Sequence, residues 1–386
     1  MSLDLRYPAL SDLRAACRRR IPRFVWEYLD SATGQEAVIA RNRAALDAVC
    51  LRPGILRGPL EPDLGTRLLG QDWAMPVGVA PLGMSGLIWP RAEAHLAGMA
   101  AHERLPYCLS TVATRLPEEI GPIAGDCGWF QLYPPRDPEI RRDILARARA
   151  AGFRVLVLTV DVPAPSRRER QLRARLTIPP QLTPAMLAQI ALRPAWALGM
   201  ARAGRPRLAL MEGYARSLTV SGPTGSTAHV GYLLRTSPDW DYLRALRAEW
   251  DGALVVKGVL EPGDARALVA EGVDALWVSN HAGRQFEGAP ASIDALPQVR
   301  AAVGRDVPVI FDGGVEGGLD ILRALALGAD FVMLGKAWHL ALGALGARGP
   351  GHLASVLRAD LIANLHQMGL ERPADARGRT WPSTEA

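Results

Sequence analysis

Residues 307–336 read VPVIFDGGVEGGLDILRALALGADFVMLGK and contain one complete strand–helix–strand unit. The apolar run VPVIFDG ends in glycine, the amphipathic stretch GGLDILRALALG follows it, and the apolar run DFVMLG closes the unit. Short apolar runs bounded by glycine are typical of buried strands, and the spacing of the leucines between them is typical of a helix. The unit therefore predicts a parallel β-sheet covered by helices.

The same alternation recurs along the chain and brings the strand-like runs to eight. The other six are VGVA at 77–80, YCLST at 107–111, GWFQLY at 128–133, RVLVLTVD at 154–161, ALVVKG at 253–258 and DALWVSN at 274–280. Eight strand–helix units predict an α/β fold of the closed (β/α)8 TIM-barrel type. The alternative, an open doubly wound sheet, requires a GxGxxG turn after an early strand, and VGVA is followed only by PLGMSG.

Two segments lie outside this alternation, within what we expect to be a single domain over residues 1–386. Residues 1–60 predict N-terminal helices that cap the barrel, because LSDLRAACRRR and PRFVWEYLD have helical spacing. Residues 170–252 form a long insertion after the fourth strand. Its first part, over residues 176–218, combines apolar positions with one glutamate and the arginines Arg193, Arg202, Arg205, Arg207 and Arg216. That composition predicts a membrane-interacting or lid segment.

The overall composition is that of a soluble globular protein, 49% hydrophobic and 22% charged, with no apolar run near twenty residues. The start MSLDLRYPAL lacks the features of a secretory signal, so we expect a cytoplasmic protein. The net charge is +6, but no basic run is interleaved with aromatic residues, so no nucleic-acid partner is expected. Four cysteines without a CxxC spacing predict no metal site.

Each predicted strand ends in polar residues or glycine, at the end of the barrel where this fold carries its chemistry. In chain order these exits present Pro81 with Gly83, Ser110 with Thr111, Gln131 with Tyr133, Thr159 with Asp161, Lys257, Ser279 with His281 and Arg284, Asp312 with Gly313 and Gly314, and Gly335 with Lys336. One polar residue at a strand end is more often structural than catalytic. Their coincidence at eight exits predicts an active site.

The turn SNHAGRQ places His281 three residues before Arg284. A neutral imidazole can accept a proton at neutral pH, and a guanidinium can hold a carboxylate in two parallel hydrogen bonds. The pair therefore predicts an anionic substrate that loses a proton. Asp161 could stabilise the imidazolium that forms, and Arg168 could supply a second guanidinium to the same carboxylate.

Lysine occurs only twice in the chain, as Lys257 and Lys336, and both follow predicted strands. A compact ammonium at a barrel mouth suits an electron-rich cofactor or a Schiff base, whereas the alternative is a solvated surface lysine. The FDGG and MLGK turns resemble the phosphate cradle of such barrels, in which backbone NH groups receive the anion. A barrel with a phosphate site suggests flavin mononucleotide (FMN).

The stretches WFQLY, LTVD, VKG, SNHAGRQ and ALALGAD, in this order, resemble the FMN-dependent L-2-hydroxy-acid oxidase/dehydrogenase family over nearly the whole chain. The resemblance implies that His281 is the catalytic base and that Asp161 is its partner. It implies that Tyr28, Arg168 and Arg284 bind the substrate carboxylate and that Tyr133 hydrogen-bonds the substrate hydroxyl. The implied FMN ligands are Ala80, Pro81, Gly83, Ser110, Gln131, Thr159, Lys257, Ser279, Asp312, Gly313, Gly314, Gly335 and Lys336.

The same resemblance implies oxidation of a lactate-like or mandelate-like L-2-hydroxy acid to the 2-keto acid. LGMSGLIWP and the long insertion are most similar to the membrane-associated lactate and mandelate dehydrogenases. This favours a membrane quinone over oxygen as the electron acceptor, peripheral attachment to the inner face of the cytoplasmic membrane, and a homo-oligomer, by resemblance a tetramer. An oxygen-using oxidase and a non-catalytic flavin barrel are the alternatives.

Four residues depart from the family pattern: Leu82 replaces a threonine, Ala282 replaces a glycine, and Glu316 and Lys336 stand where the family generally has arginines near the phosphate. A carboxylate beside a phosphate is repulsive, by about 4 kcal/mol at 4 Å with an effective dielectric constant near 20. We therefore expect Glu316 to turn outward, toward one of the surface arginines. Lys336 would then bind the phosphate together with backbone NH groups of the glycine turns.

Overall fold

The eight predicted strands are present and close into a parallel barrel in the computed structural model, which describes residues 2–175, 183–215 and 234–381. A small antiparallel pair, β1 (Thr66–Leu68) and β2 (Gln71–Trp73), precedes the barrel. The barrel strands are β3 (Val77–Val79), β4 (Tyr107–Ser110), β5 (Gly128–Leu132), β6 (Val155–Thr159), β7 (Ala253–Val259), β8 (Ala275–Val278), β9 (Val309–Phe311) and β10 (Phe331–Leu334). Each strand pairs with the next, and β10 pairs with β3, so the TIM-barrel prediction is confirmed.

The helices alternate with these strands as the amphipathic stretches predict. Those between or after the barrel strands are α5 (Ser85–Ile88), α6 (Ala92–Glu103), α7 (Pro117–Ala124), α8 (Pro138–Ala150), α9 (Glu169–Arg173), α10 (Pro184–Ala191), α11 (Pro194–Ala203), α12 (Ala209–Ala215), α13 (Trp240–Glu249), α14 (Pro262–Ala270), α15 (Ser292–Val303), α16 (Gly318–Ala326), α17 (Lys336–Leu345) and α18 (Gly349–Met368). Several begin at a proline or behind a side-chain cap: the Asp137 carboxylate, for instance, accepts a hydrogen bond from the Glu139 amide at the start of α8.

The barrel core has two apolar layers, because neighbouring side chains of each strand point to opposite faces. One layer fills the barrel interior and includes Trp129, Trp277, Phe331 and Met333, all fully buried. The other lies between the strands and the surrounding helices. Burial of each large side chain contributes about 1.5–3 kcal/mol, so the interior is a packed support that holds the strand ends in fixed positions.

The predicted N-terminal cap is helical over residues 3–48 and not beyond. Its helices are α1 (Leu3–Arg6), α2 (Leu10–Arg20), α3 (Arg23–Asp30) and α4 (Ala37–Ala48). Helix α2 packs on α17 so closely that a Cβ on Gly343 would lie 2.3 Å from Cys17 Sγ. This contact brings α2 next to the turn that follows β10.

The long segment between β6 and β7 has two parts. Its last helix, α13, takes the regular place of a barrel helix before β7, so the insertion proper is shorter than residues 170–252. Within the described part, α11 packs on the protein through Trp196, which is buried and donates from Nε1 to the Leu87 carbonyl at 3.2 Å. Arg216 and the ends of the predicted cationic segment lie outside the described residues.

Helices α10 and α11 nevertheless present apolar side chains to solvent, since Leu187, Leu192 and Leu198 are at least half exposed. Over the described ranges, no helix has both the length and the apolar character needed to cross a bilayer.

Candidate active site

A cavity of about 690 Å³ opens at the C-terminal ends of the barrel strands. Its walls combine residues of the strand exits with residues of the N-terminal helices. Of the predicted site residues, those that line it are Tyr28, Ala80, Pro81, Gly83, Tyr133, Thr159, Arg168, Lys257, His281, Arg284, Asp312, Gly313, Gly314, Gly335 and Lys336. The remaining four do not line it: Asp161 and Ser279 contact the lining residues His281 and Lys257, and Ser110 and Gln131 contact each other near the ends of β4 and β5.

His281 and Asp161 form a hydrogen-bonded pair at the exits of β8 and β6. His281 Nδ1 lies 3.0 Å from Asp161 Oδ1 and 3.1 Å from Oδ2. The turn that aims the imidazole is unusual, because His281 has φ +54° and Ala282, at the usual glycine position, has φ +50°. Left-handed backbone costs a residue with a side chain about 1–2 kcal/mol, which the surrounding contacts must offset.

A neutral His281 beside a charged Asp161 can act as a proton acceptor. Burial lowers the pKa of His281 below its ordinary value, although Asp161 opposes this, so the imidazole is neutral near pH 7. Burial alone would raise the pKa of Asp161, but its interaction and hydrogen bond with His281 and the positive charge of Lys257 outweigh burial and lower that pKa. A charged carboxylate facing Nδ1 fixes the proton on Nδ1, which leaves Nε2 to accept a proton.

Two arginines line the cavity with His281, and Ser166 connects the side chain of one to the main chain of the other. The Ser166 hydroxyl accepts from Arg168 Nε at 3.0 Å and donates to the Arg284 carbonyl at 2.6 Å. Arg284 donates from Nη2 to the Tyr28 carbonyl at 2.9 Å, and its guanidinium lies 5.2 Å from the centre of the Tyr28 ring. The Tyr28 hydroxyl donates to the Gly83 carbonyl at 3.0 Å. Two fixed guanidiniums at one wall can bind a carboxylate.

Tyr133 lies at the exit of β5 under a third guanidinium, that of Arg235, whose carbon is 3.4 Å from the ring centre. Arg235 reaches this position because its backbone forms an antiparallel bridge with Pro135. Sequence reasoning missed Arg235, since it lies 102 positions after Tyr133 in the segment predicted to be an insertion. No motif marks it.

Lys257 is anchored beneath the cavity by polar groups of β8 and β9. Its ammonium donates to Ser279 Oγ at 2.6 Å and lies 3.1 Å from Asp312 Oδ2. Asp312 also accepts from the Trp277 indole at 2.9 Å. Burial would lower the pKa of Lys257, but Asp312 and Asp161 raise it above its ordinary value, so the ammonium stays charged. The reading of Lys257 as a solvated surface residue is wrong.

Two buried polar groups at the exits test whether the cavity fits a flavin. Gln131 Nε2 and Thr159 Oγ1 have no hydrogen-bond partner among the described residues. Ser110 Oγ donates to Gln131 Oε1 at 2.8 Å and so fixes the amide in place. A buried polar group left unpaired costs about 1–3 kcal/mol, and the polar edge of an isoalloxazine ring offers acceptors for both. Together with the charged Lys257, this donor set fits FMN.

The glycine turns after β9 and β10 form the other end of the cavity. Gly313 and Gly314 have φ +125° and +84°, conformations that suit glycine. Lys336 Nζ donates to the carbonyls of Asp30 at 3.0 Å and Ser31 at 3.5 Å, and burial lowers its pKa to about 7. The ammonium expected to bind phosphate is therefore already engaged with main-chain carbonyls at the end of α3.

Glu316 turns toward an arginine, as the sequence predicts, and that arginine is Arg14 of α2. Their closest atoms, Arg14 Nη2 and Glu316 Oε1, lie 2.6 Å apart. Both residues line the cavity, so the expectation that Glu316 turns outward is wrong, although its pairing with an arginine is as expected. Arg43 of α4 lines it too and pairs with Asp320 at 2.7 Å. The sequence analysis missed Arg14 and Arg43, because neither stands in a recognisable motif.

The sequence of this chain is similar to those of known proteins over most of its length. The sequence pattern described as FMN-dependent dehydrogenase matches residues 17–381. The chain is 38% identical to an L-lactate dehydrogenase of Pseudomonas aeruginosa (strain LESB58) over 357 residues, 92% of each chain. It is also 38% identical to an L-lactate dehydrogenase of Stenotrophomonas maltophilia (strain K279a) over 371 residues, 95% of this chain and 96% of that one.

Two solved structures are also similar to this chain over nearly its whole length. A crystal structure of the monotopic membrane protein (S)-mandelate dehydrogenase superimposes with a TM-score of 0.90 at 32% identity, and the match covers 98% of this chain and 100% of that chain. A crystal structure of mandelate oxidase superimposes with a TM-score of 0.82 at 31% identity, over 97% of this chain and 98% of that chain.

Proposed function

The chain belongs to the FMN-dependent dehydrogenase family, with FMN as its cofactor, and from this premise we propose that it oxidises an L-2-hydroxy acid to the 2-keto acid. Lactate-like and mandelate-like acids are the substrates favoured by its relatives, which are named L-lactate dehydrogenase and (S)-mandelate dehydrogenase. The oxidation removes two electrons and two protons from the hydroxyl-bearing carbon and its oxygen. FMN, when bound, supplies the two-electron acceptor.

The observation that carries this function is the His281–Asp161 pair, which shares one cavity wall with two guanidiniums. In our proposal Arg168 and Arg284, with Tyr28, bind the substrate carboxylate, and Tyr133 hydrogen-bonds the substrate hydroxyl. His281 Nε2 accepts the proton that the substrate loses, and the Asp161 carboxylate stabilises the imidazolium. A substrate without a carboxylate would lose its ionic interaction with both guanidiniums.

We assign the flavin site to the other exits. Gln131, Thr159, Ser110 and Ser279 would hold the ring, Lys257 would supply positive charge beside it, and the backbone of Ala80, Pro81 and Gly83 would lie behind it. Asp312 would bind the ribityl chain, and the glycine turns would receive the phosphate. The unpaired donors of Gln131 and Thr159 support this placement.

For the acceptor and the location we propose a membrane quinone and peripheral attachment to the inner face of the cytoplasmic membrane. The exposed leucines of α10 and α11 and the arginines around them support attachment, because burial of apolar side chains adds to attraction by anionic lipids. The similarity to a monotopic membrane protein supports it as well. A homotetramer of single-domain subunits remains the assembly that the family resemblance favours.

Anaerobic bleaching of the bound flavin tests the reaction. The purified yellow protein should bleach on addition of L-lactate or L-mandelate and stay yellow with the D enantiomers. Glycolate, which has no side chain, is tested as the smallest acid of the series. Failure of every L-2-hydroxy acid to bleach it would overturn the proposed function. Admitting either oxygen or a soluble quinone to the bleached protein then separates the two acceptors: a dehydrogenase is reoxidised faster by the quinone, and an oxidase by oxygen.

A further inference from the structure

The phosphate end of the cavity contains a carboxylate in direct contact with a guanidinium. Arg14 donates from Nη2 to Glu316 Oε1 at 2.6 Å and from Nη1 to Asp30 Oδ1 at 2.9 Å. Glu316 stands in the turn after β9 and Arg14 on α2, 302 positions apart, and both line the cavity. The Glu316 side chain is 44% exposed and that of Arg14 is 36% exposed, so this pair is accessible from the cavity.

Two other cations at this end, Arg43 and Lys336, are held differently. Arg43 binds both carboxylate oxygens of Asp320, whose side chain is only 6% exposed, and also pairs with Asp47. Lys336 donates to the main-chain carbonyls of α3, which cannot move without moving the helix end. Exposed ion pairs are weak, and the Glu316 side chain is exposed. Of these three cations, Arg14 therefore has the cavity partner that can rotate away at the lowest cost in free energy.

We propose that Arg14 is the phosphate-binding cation of this chain and that Glu316 is a built-in competitor for it. A phosphate bound at the glycine turns would compete with Glu316 for Arg14, because these residues line one cavity and the two anions would repel each other. Glu316 must release Arg14 before the phosphate can bind it. The phosphate therefore adds less to flavin affinity than an unopposed arginine would give.

This role of Arg14 rests on FMN as the cofactor and not on the hydroxy-acid reaction. Riboflavin is the natural probe, since it has the same ring and ribityl chain without the phosphate. A change that acts on the phosphate alters the affinity for FMN and leaves the affinity for riboflavin unchanged. A change that merely distorts the cavity alters both affinities alike.

Equilibrium dialysis of the holoprotein against FMN and, separately, riboflavin provides the measurement, with no turnover required. We expect Glu316→Gln, which keeps the shape but removes the charge, to bind FMN about tenfold more tightly. Arg14→Gln should bind FMN about tenfold more weakly. Both variants should bind riboflavin within twofold of the wild type. In the Arg14→Gln background the gain from Glu316→Gln should fall below threefold, because Glu316 acts through Arg14.

Two control variants remove the same charges at exposed positions that do not line the cavity. Arg19→Gln alters an exposed arginine on the same helix, and Glu139→Gln alters an exposed glutamate of α8 that does not line the cavity. Both should leave both affinities unchanged. Weaker FMN binding by Glu316→Gln, equal losses of FMN and riboflavin in Arg14→Gln, or no effect of either substitution on FMN would each overturn the proposal. Hydroxy-acid bleaching can succeed or fail independently of these results.

Discussion

The two ends of the cavity are built in different ways. At the end that contains His281, which we propose accepts the substrate proton and which we call the proton-transfer end, His281, Asp161 and Lys257 come from the exits of three neighbouring barrel strands, β8, β6 and β7. At the phosphate end, the barrel supplies glycine turns and a glutamate, while the guanidiniums of Arg14 and Arg43 come from α2 and α4. The charged groups of the first end come from barrel exits, whereas the guanidiniums of the second end come from the N-terminal helices.

This difference has a consequence for function. The packed core beneath the barrel exits fixes His281 and Asp161, and the His281 turn is also held by α4, whose Asn42 exchanges hydrogen bonds with Asn280. The phosphate end depends on how α2 and α3 lie against α17, and its charges can be exchanged by rotation of exposed side chains. We therefore expect substitutions at the first end to change the reaction rate and substitutions at the second end to change flavin affinity.

The largest effect is expected for His281→Gln. The amide cannot accept the proton, and loss of a general base typically lowers a rate by about 10²–10⁴-fold. Anaerobic flavin reduction followed by stopped-flow absorbance measures this rate directly. The variant should still bind FMN with wild-type affinity, since His281 belongs to the other end. Near-wild-type reduction by His281→Gln would show that another group accepts the proton.

A smaller loss is expected for Arg284→Lys. The ammonium keeps the charge but cannot form the two parallel hydrogen bonds of a guanidinium, so about 1.5–3 kcal/mol of binding is lost. This corresponds to roughly a 10- to 150-fold lower kcat/KM. Arg173→Lys, at an exposed position of α9, is the matched control and should behave as the wild type. An unchanged kcat/KM in Arg284→Lys would mean that Arg284 does not contact the substrate.

The pH dependence of kcat/KM follows from the direction of the His281 shift. Burial lowers the pKa of His281, so the neutral, proton-accepting form persists below the ordinary imidazole range. We expect a plateau through neutral pH and a fall of about tenfold per pH unit only below an apparent pKa that is lower than about 6.5. A decline that already begins above that value would contradict a buried, neutral His281.

The smallest effect is expected for Lys336→Met, because its ammonium is engaged with main-chain carbonyls. FMN affinity should change by less than about threefold, against about tenfold for Arg14→Gln. Its pKa of about 7 allows a second test. If Lys336 supplied the charge for phosphate, it would lose its proton as pH rises above 7 and FMN binding would weaken. We expect a constant dissociation constant from about pH 7 to 9, since arginine stays protonated.

The sequence predicted the barrel and the contact between His281 and Asp161, and it predicted less of the phosphate end. His281 and Asp161 are 120 positions apart, yet each follows a recognisable strand, and parallel strands in a barrel bring their exits into one ring. Arg14 and Arg235 follow no strand of the repeat, so their approach to the cavity depends on tertiary packing that no motif records.

Lys336 shows a second limit of prediction from sequence. Its position after β10 is as expected, but the direction of its side chain is set by the end of α3. The last carbonyls of a helix lack partners within the helix and accept hydrogen bonds from nearby cations. Asp30 and Ser31 present such carbonyls to Lys336. Residue type alone could not distinguish a phosphate ligand from a helix-end contact.

The separation of the two ends is tested most directly by measuring two quantities in three proteins. The FMN dissociation constant and the rate of anaerobic flavin reduction by an L-2-hydroxy acid, at saturating FMN, should be determined for wild type, His281→Gln and Arg14→Gln. We predict that His281→Gln loses the reduction rate and keeps the dissociation constant. Arg14→Gln should raise the dissociation constant and keep the rate. If either substitution changed both quantities in parallel, the two ends would not act separately and this account would be contradicted.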